Sequence, residues 1–162
     1  MNTIEMTTYA NNWLKENYNM SLQIPIEINN RLRTSLGRFH SMNIGGHHKP
    51  IKIDMNGKFI KHNTREEILL TLKHELVHYA LCVMGLDYND GDYMFENELN
   101  KHNLPSNFHN ENVQRHVKMP HHVYTCDSCG CDVKSRQKLN TKRYNYTHKH
   151  CGGTLTYKGQ GI

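Results

Sequence analysis

Two histidines four residues apart, His74 and His78, with Glu75 beside the first, stand in TREEILLTLKHELVHYALCVMG, residues 64–85. On a helix, a spacing of four places both imidazoles on one face, within reach of a single ion. Glu75 lies one step round, where a carboxylate contacts metal-bound water rather than the metal. The chemistry on offer is metal-assisted hydrolysis, with two ligands and a general base. The chain carries 13 His in 162 residues, so the pattern can arise by accident. Its setting has to decide.

That setting is a helix with both ends marked. Thr64 followed by Glu67 is a capping-box pair, and Gly85 suits the position just past a helix, which predicts a helix over about 65–84. Ile68, Leu69, Leu72, Leu76, Tyr79, Ala80 and Val83 form an apolar stripe that would bury one side. An ordinary helix with two half-exposed histidines would not need Glu75 beside the first of them. A third ligand must come from elsewhere. Cys82 stands roughly 12 Å from His74 along the helix axis, too far to share an ion. Beyond Gly85 the chain offers Asp87, Asp90 and Asp92, and then Tyr93, Met94, Phe95 and Leu99, which begin another helix.

A second set of metal-ligand types lies near the C-terminus. Cys126 and Cys129 make C-x-x-C, and His148 and Cys151 make H-x-x-C, with 18 residues between the halves. That spacing is typical of a structural zinc ribbon. Cys131 sits one residue too far into the turn to take part, and His150 cannot form a knuckle with Cys151. Between the halves Lys134, Arg136, Lys138, Lys142 and Arg143 are interleaved with Tyr144 and Tyr146. Basic groups hold phosphates and aromatic faces stack on bases, so the hairpin is a candidate nucleic-acid surface, DNA or RNA. The plainer reading is a solvated hairpin whose tyrosines pack the ribbon.

The elements that must position these residues are mixed. Residues 3–18 space Ile4, Met6, Tyr9, Trp13, Leu14 and Tyr18 as a helix. SLQIPIEIN alternates Leu22, Ile24, Ile26 and Ile28 as a strand, which Pro25 places at an edge. NNRLRTSLGRFH continues as a second strand, Gly45, Gly46 and Pro50 bracket a loop, and PIKIDM is a third strand. An α+β domain over 1–110 follows, with a linker over 111–120 and the small cysteine module over 121–162. Residues 1–110 hold 11 Lys and Arg against 12 Asp and Glu, whereas 111–162 hold 9 against 3. A basic module on a near-neutral domain suggests an anionic partner. No apolar run is long enough to span a membrane. The N-terminal residues lack a signal peptide's blocks, so a cytoplasmic location is expected. Five Cys are then thiols or ligands rather than disulfides.

NNRLRTSLGRF (29–39), HELVHYALCVMG (74–85), GLDYNDGDYMF (85–95) and the C-terminal cysteine module together resemble the SprT-like family, and the match is close to its short Gram-positive members. Eukaryotic relatives of that family include the Spartan proteases of DNA–protein crosslinks. The resemblance implies a small zincin-like metallopeptidase domain followed by a zinc ribbon, with one catalytic and one structural zinc. In the family the stretch after the HExxH helix resembles G-x-G-Y-x-H-x-D-x-D-F, its His being the third zinc ligand. Aligned without a gap, that His falls on Asp90 and the next Asp on Asp92. Asp is itself a zinc ligand, which leaves His74, His78 and Asp90 as a ligand set, with Asp92 the rival to Asp90. The family pattern also implies a Cys where His148 stands. Arg31, Arg33 and Arg38 would lie beside the active helix, either binding an anion or pairing with acids.

The expectation is thus a metallopeptidase acting on proteins, including nucleic-acid-bound ones, with Glu75 activating water. The alternative is a catalytically weak or inactive zinc protein that binds nucleic acid, and a third reading is a scaffold in which both zincs serve folding.

Overall fold

The computed structural model describes residues 1–107 and 120–161. The chain forms two compact units, Met1–Val117 and Lys118–Ile162. The linker expected over 111–120 lies, except for Pro120, outside the described residues. Among the described residues no helix is long and apolar enough to cross a membrane.

The N-terminal unit opens with α1, Thr3–Tyr18, whose capping box joins Asn2 and Glu5: each backbone N–H donates to the other's side chain, at 2.8 and 2.9 Å. Met6, Ala10 and Leu14, spaced by four, are its buried face. Strand β1, Ile26–Asn29, is shorter than the alternation from Leu22 predicts. Pro25 explains this: it has no N–H to give a ladder, and its carbonyl accepts the first bond, from Ile53 N–H at 3.0 Å.

Strand β2 runs Gly37–Ile44 and β3 His47–Asn56. The expected second strand therefore begins only at Gly37. The carbonyls of Leu32 and Ser35 ahead of it accept from the Asn56 side-chain amide, at 3.0 and 2.9 Å, instead of a neighbouring strand. The expected loop over 45–50 is a two-residue hairpin turn, because Gly45 and Gly46 both take positive φ, 60° and 86°. Pro50 falls inside β3, opposite Ser41 at a shift in register. The sheet order is β1-β3-β2, with β1 parallel and β2 antiparallel to β3, so β1 is an edge, as Pro25 implied, and β2 is the other.

A short helix α2, Gly57–His62, leads to α3, Arg65–Val83. Thr64 caps α3 by accepting from Glu67 N–H. At the far end Gly85, φ 69°, donates to Cys82 O while Leu86 donates to Leu81 O, a Schellman turn that sends the chain back along the helix. The one-sided stripe understates the burial. From His74 to Cys82 every residue of α3 is buried, whereas Val83 is 49% exposed and Leu69 half-buried. The cause is that α3 packs against α1, β2, β3 and α4, Tyr93–Lys101, and so has no solvent face along its middle. Val77 and Leu81 meet Phe95, Leu99 and Leu104 in one apolar cluster. Burying each such side chain contributes about 1.5–3 kcal/mol.

The C-terminal unit is a three-stranded antiparallel sheet of β4, His121–Cys126, β5, Asp132–Ser135, and β6, Leu155–Gly161, in the order β5-β4-β6. Its buried core is Tyr124, Cys126 and Leu155, flanked by Val133, Leu139 and Tyr146. An apolar core that small does not hold a unit of this size together alone.

Candidate metal centres

His74 and His78 reach the same point from one face of α3, and Asp90 meets them there from the chain that returns after Gly85. Asp90 Oδ1 lies 3.3 Å from His74 Nε2 and Oδ2 lies 3.8 Å from His78 Nε2. Ligand atoms around a tetrahedral zinc, with bonds of 2.0–2.1 Å, stand about 3.3 Å apart. The His74–Asp90 separation matches that spacing and the His78–Asp90 one is about half an ångström wider, with all three ligand atoms within 4.8 Å of one another.

The imidazoles are also oriented as ligands need to be. His74 Nδ1 donates to Pro105 O at 2.9 Å, and His78 Nδ1 donates to Tyr88 O. A carbonyl only accepts, so Nδ1 carries the proton in both rings and a neutral ring presents its Nε2 lone pair toward Asp90. Phe95 stacks on His78 at 4.0 Å between ring centroids and meets His74 edge-on. Burial, reinforced by the neighbouring His74, pushes His78 down to about 4, a neutral ring at neutral pH. Burial also pulls at His74, but the bond that its charged ring donates from Nε2 to Asp90, with the charge of Glu75, carries it above the ordinary value. Asp90 is held below the usual carboxylate range chiefly by that same bond.

Glu75 is buried and faces β2, where its Oε2 accepts from Phe39 N–H at 2.8 Å. Gly37 makes room for it: a Cβ there would stand 2.9 Å from Glu75 Cγ and Oε1. Asp92, the rival ligand, is the N-cap of α4 and accepts from Asn89 N–H at 2.8 Å. The group that forms contains Asp90 and not Asp92. Cys82 lies outside it and donates to His48 O at 3.6 Å. Arg38 donates to Ser35 Oγ, and of the two roles expected for Arg31, Arg33 and Arg38, anion binding or pairing with acids, the ion pairs are not found among the described residues.

Residue types alone did not point to Tyr88, Pro105 or Phe39, because each contributes a backbone atom. Tyr88 carries a further role. Its hydroxyl is hydrogen-bonded to Ser41 Oγ at 2.7 Å and His48 Nδ1 at 2.9 Å, which ties the returning chain to the β2–β3 hairpin.

In the C-terminal unit Cys126, Cys129, His148 and Cys151 converge. Cys126 and Cys151 sulfurs stand 3.4 Å apart, and His148 Nδ1 lies 3.3 Å from the sulfurs of both Cys129 and Cys151. Gly130 and Gly152, φ 70° and 73°, make the two knuckle turns. The Cys129 backbone N–H beside the sulfur is the main cause that pulls the Cys126 thiol down to about 6, favouring the thiolate a metal requires. Cys131 contributes its carbonyl, which accepts from Cys126 N–H, and His150 meets His148 edge-on. Both stay outside the ligand group.

The basic residues Lys134, Arg136, Lys138, Lys142 and Arg143 are all exposed. Arg143 lies over the ring of Tyr144 and Lys138 over that of Tyr157, at 5.4 and 5.0 Å. Tyr144 is 53% exposed, whereas Tyr146 packs against the core of this unit.

A mixed α/β unit with a His-His-Asp group and a small Cys-rich unit with a Cys-Cys-His-Cys group define a protein with two candidate metal centres. The sequence model of the SprT-like family matches residues 3–92, more than half of the chain. Proteins named "Protein SprT-like" are similar to it: that of Streptococcus mutans is 29% identical over 97% of this chain and 99% of its own length. Those of Anoxybacillus flavithermus and Bacillus cereus are 34% and 32% identical over 72% of this chain and 71% of their own. The chain belongs to the SprT-like family. No solved structure matches it.

Proposed function

We propose that this chain is a zinc metalloendopeptidase of the HExxH type, with a zincin-like N-terminal unit and a C-terminal zinc ribbon that recruits it to proteins bound on nucleic acid. The observation that carries this reading is the geometry around Glu75. Its carboxylate is buried one residue after the first ligand, close enough for its charge to act on His74, and is bonded to the edge strand β2 through Phe39. Zinc held there would polarise the scissile carbonyl and make water acidic enough to attack near neutral pH.

The chain's own groups do the rest. The carbonyls of Pro105 and Tyr88 keep both Nε2 atoms turned toward the shared point. Glu75 takes the proton of the attacking water and delivers it to the departing amine nitrogen. Phe39 N–H holds that carboxylate in place. An extended substrate segment adds to the outer edge of β2, which lies next to Glu75, and is aligned there by main-chain bonds. Phosphates meet the exposed Lys138, Arg143 and their neighbours, and bases stack on Tyr144.

Incubating the purified protein with a DNA-bound basic protein tests this. Cleavage should occur, stop on chelation, and return with zinc. A zinc-loaded protein that binds DNA but leaves every protein substrate intact would instead be the inactive nucleic-acid-binding alternative.

A further inference from the structure

Resting on that reading of the His74 centre, we propose that Pro105, Ser106 and Asn107, anchored by Glu96, form a clasp that positions the metal ligands. The functional unit then runs to residue 107, past the end of the family match at residue 92. The chain is turned into place at the end of α4. Asn103 takes a left-handed φ of 51° and donates to Asn100 O, and Leu104 donates to Leu99 O, a second Schellman turn. Leu104 then buries against Val77, Leu81, Phe95 and Leu99, fixing the segment to α3.

The next three residues each reach a different part of the centre. Pro105 O accepts from His74 Nδ1 at 2.9 Å. Ser106 Oγ donates to Glu96 Oε2 at 2.5 Å. Asn107 Nδ2 donates to Asp90 Oδ1 at 3.2 Å. The other oxygen of Glu96 accepts from Gly91 N–H at 3.0 Å, one residue from Asp90. One carboxylate therefore holds both the loop that carries the third ligand and the segment that orients the first. Ser106 is buried, and a buried hydroxyl on a carboxylate is a strong, charge-assisted bond. A chain merely leaving a helix would need none of these contacts. Pro105, Ser106, Asn107 and Glu96 are positioning residues, acting through His74 and Asp90.

The test uses the full chain, with zinc affinity read by competition against a chromophoric chelator and each centre followed in the cobalt-substituted protein. Only the cysteine centre gives thiolate charge-transfer bands, so the two are read separately. Ser106→Ala, Asn107→Ala and Glu96→Gln should each weaken metal binding at the His74 centre by about tenfold, within the range for partners of metal ligands, and leave the cysteine centre unchanged. Ser106→Thr, which keeps the hydroxyl, should restore most of the affinity. Glu96→Gln combined with Ser106→Ala should lose less than the product of the two single losses, since both break one contact. Affinities within about twofold of the unsubstituted protein in all three single variants would overturn the clasp. So would a loss that Thr does not restore and that a lower melting temperature of the metal-free protein accounts for. An unsubstituted protein that binds no metal at His74 and His78 would overturn the metallopeptidase reading along with it, and is a different result from variants that bind normally.

Discussion

The backbone N–H of Phe39 donates to the carboxylate of Glu75 at 2.8 Å, joining the free edge of the small sheet to the helix that carries both histidines. Gly37, two residues earlier on the same strand, leaves the space that carboxylate fills. Gly37→Ala would bring a Cβ to 2.9 Å from Glu75 Cγ and Oε1, so the side chain must move. Peptidase activity should fall by at least about tenfold, the scale on which a misplaced general base costs rate. Zinc content should stay unchanged, because neither histidine is touched. Paired activity and metal assays on the same preparation check this.

Asp90 and Asp92 are separated by a different pair of measurements. Asp90 faces both Nε2 atoms, whereas Asp92 accepts from Asn89 N–H at the start of α4. Asp90→Ala should weaken zinc binding at this centre by more than Asp92→Ala does. Asp90→His should keep the metal and raise activity, since a neutral ligand leaves more positive charge on the ion. Equal losses from the two alanine variants would remove Asp90 from the ligand set.

The cysteine centre should be separable from the first. With Tyr124, Cys126 and Leu155 as its core among the described residues, the C-terminal unit should need a metal at its cysteine group to fold. Cys126→Ser should cost one zinc of two and unfold only residues 121–161, with the His74 centre intact. Binding to single-stranded DNA should be lost with it, and in the unsubstituted protein should weaken steeply as salt rises. Simultaneous loss of both zincs would contradict the separation into two centres.

How much of this was legible in the sequence follows from which atoms do the work. His74, Glu75, His78, Cys126, Cys129, His148 and Cys151 are side chains whose types and spacing announce them, whereas Asp90 was set apart from Asp87 and Asp92 only by the resemblance to the SprT-like family. Phe39, Tyr88 and Pro105 act through backbone N–H or C=O, which every residue has, so no residue type marks them. The helix ends were readable because Thr64 and Gly85 carry the capping chemistry themselves. The start of β2 was not, since it depends on the Asn56 amide taking the Leu32 and Ser35 carbonyls from more than 20 residues away. The burial of α3 on all sides was hidden for a similar reason. His74, Glu75 and His78 are polar by type, and their burial comes from the sheet and α4 closing over them.

Acid stability should carry the mark of Asp54, buried on β3. Burial alone would raise its pKa, but bonds from Asn29 at 2.9 Å, Lys52 at 3.1 Å and His40 at 3.0 Å outweigh this and hold it below the usual value. A depressed folded pKa contributes stability that is present above the unfolded value, about 3.9, and lost as pH falls through the lower folded one. The stability gap between the unsubstituted protein and Asp54→Asn should therefore be full at pH 6 to 7 and narrow below about pH 4. Urea unfolding of both metal-free proteins across that range measures it. A gap that does not change with pH would exclude the linkage.

The central claim is that Glu75 serves chemistry while the histidines hold the metal. Glu75→Gln keeps the size of the side chain and an oxygen to accept from Phe39 N–H, but removes the base. Zinc content and cleavage of a DNA-bound protein, measured together for this variant and the unsubstituted chain, test the claim most directly. The expected result is two zincs per chain in both proteins, with cleavage lost only in the variant. Equal cleavage by the two proteins, or no cleavage by a fully zinc-loaded unsubstituted chain, would contradict it.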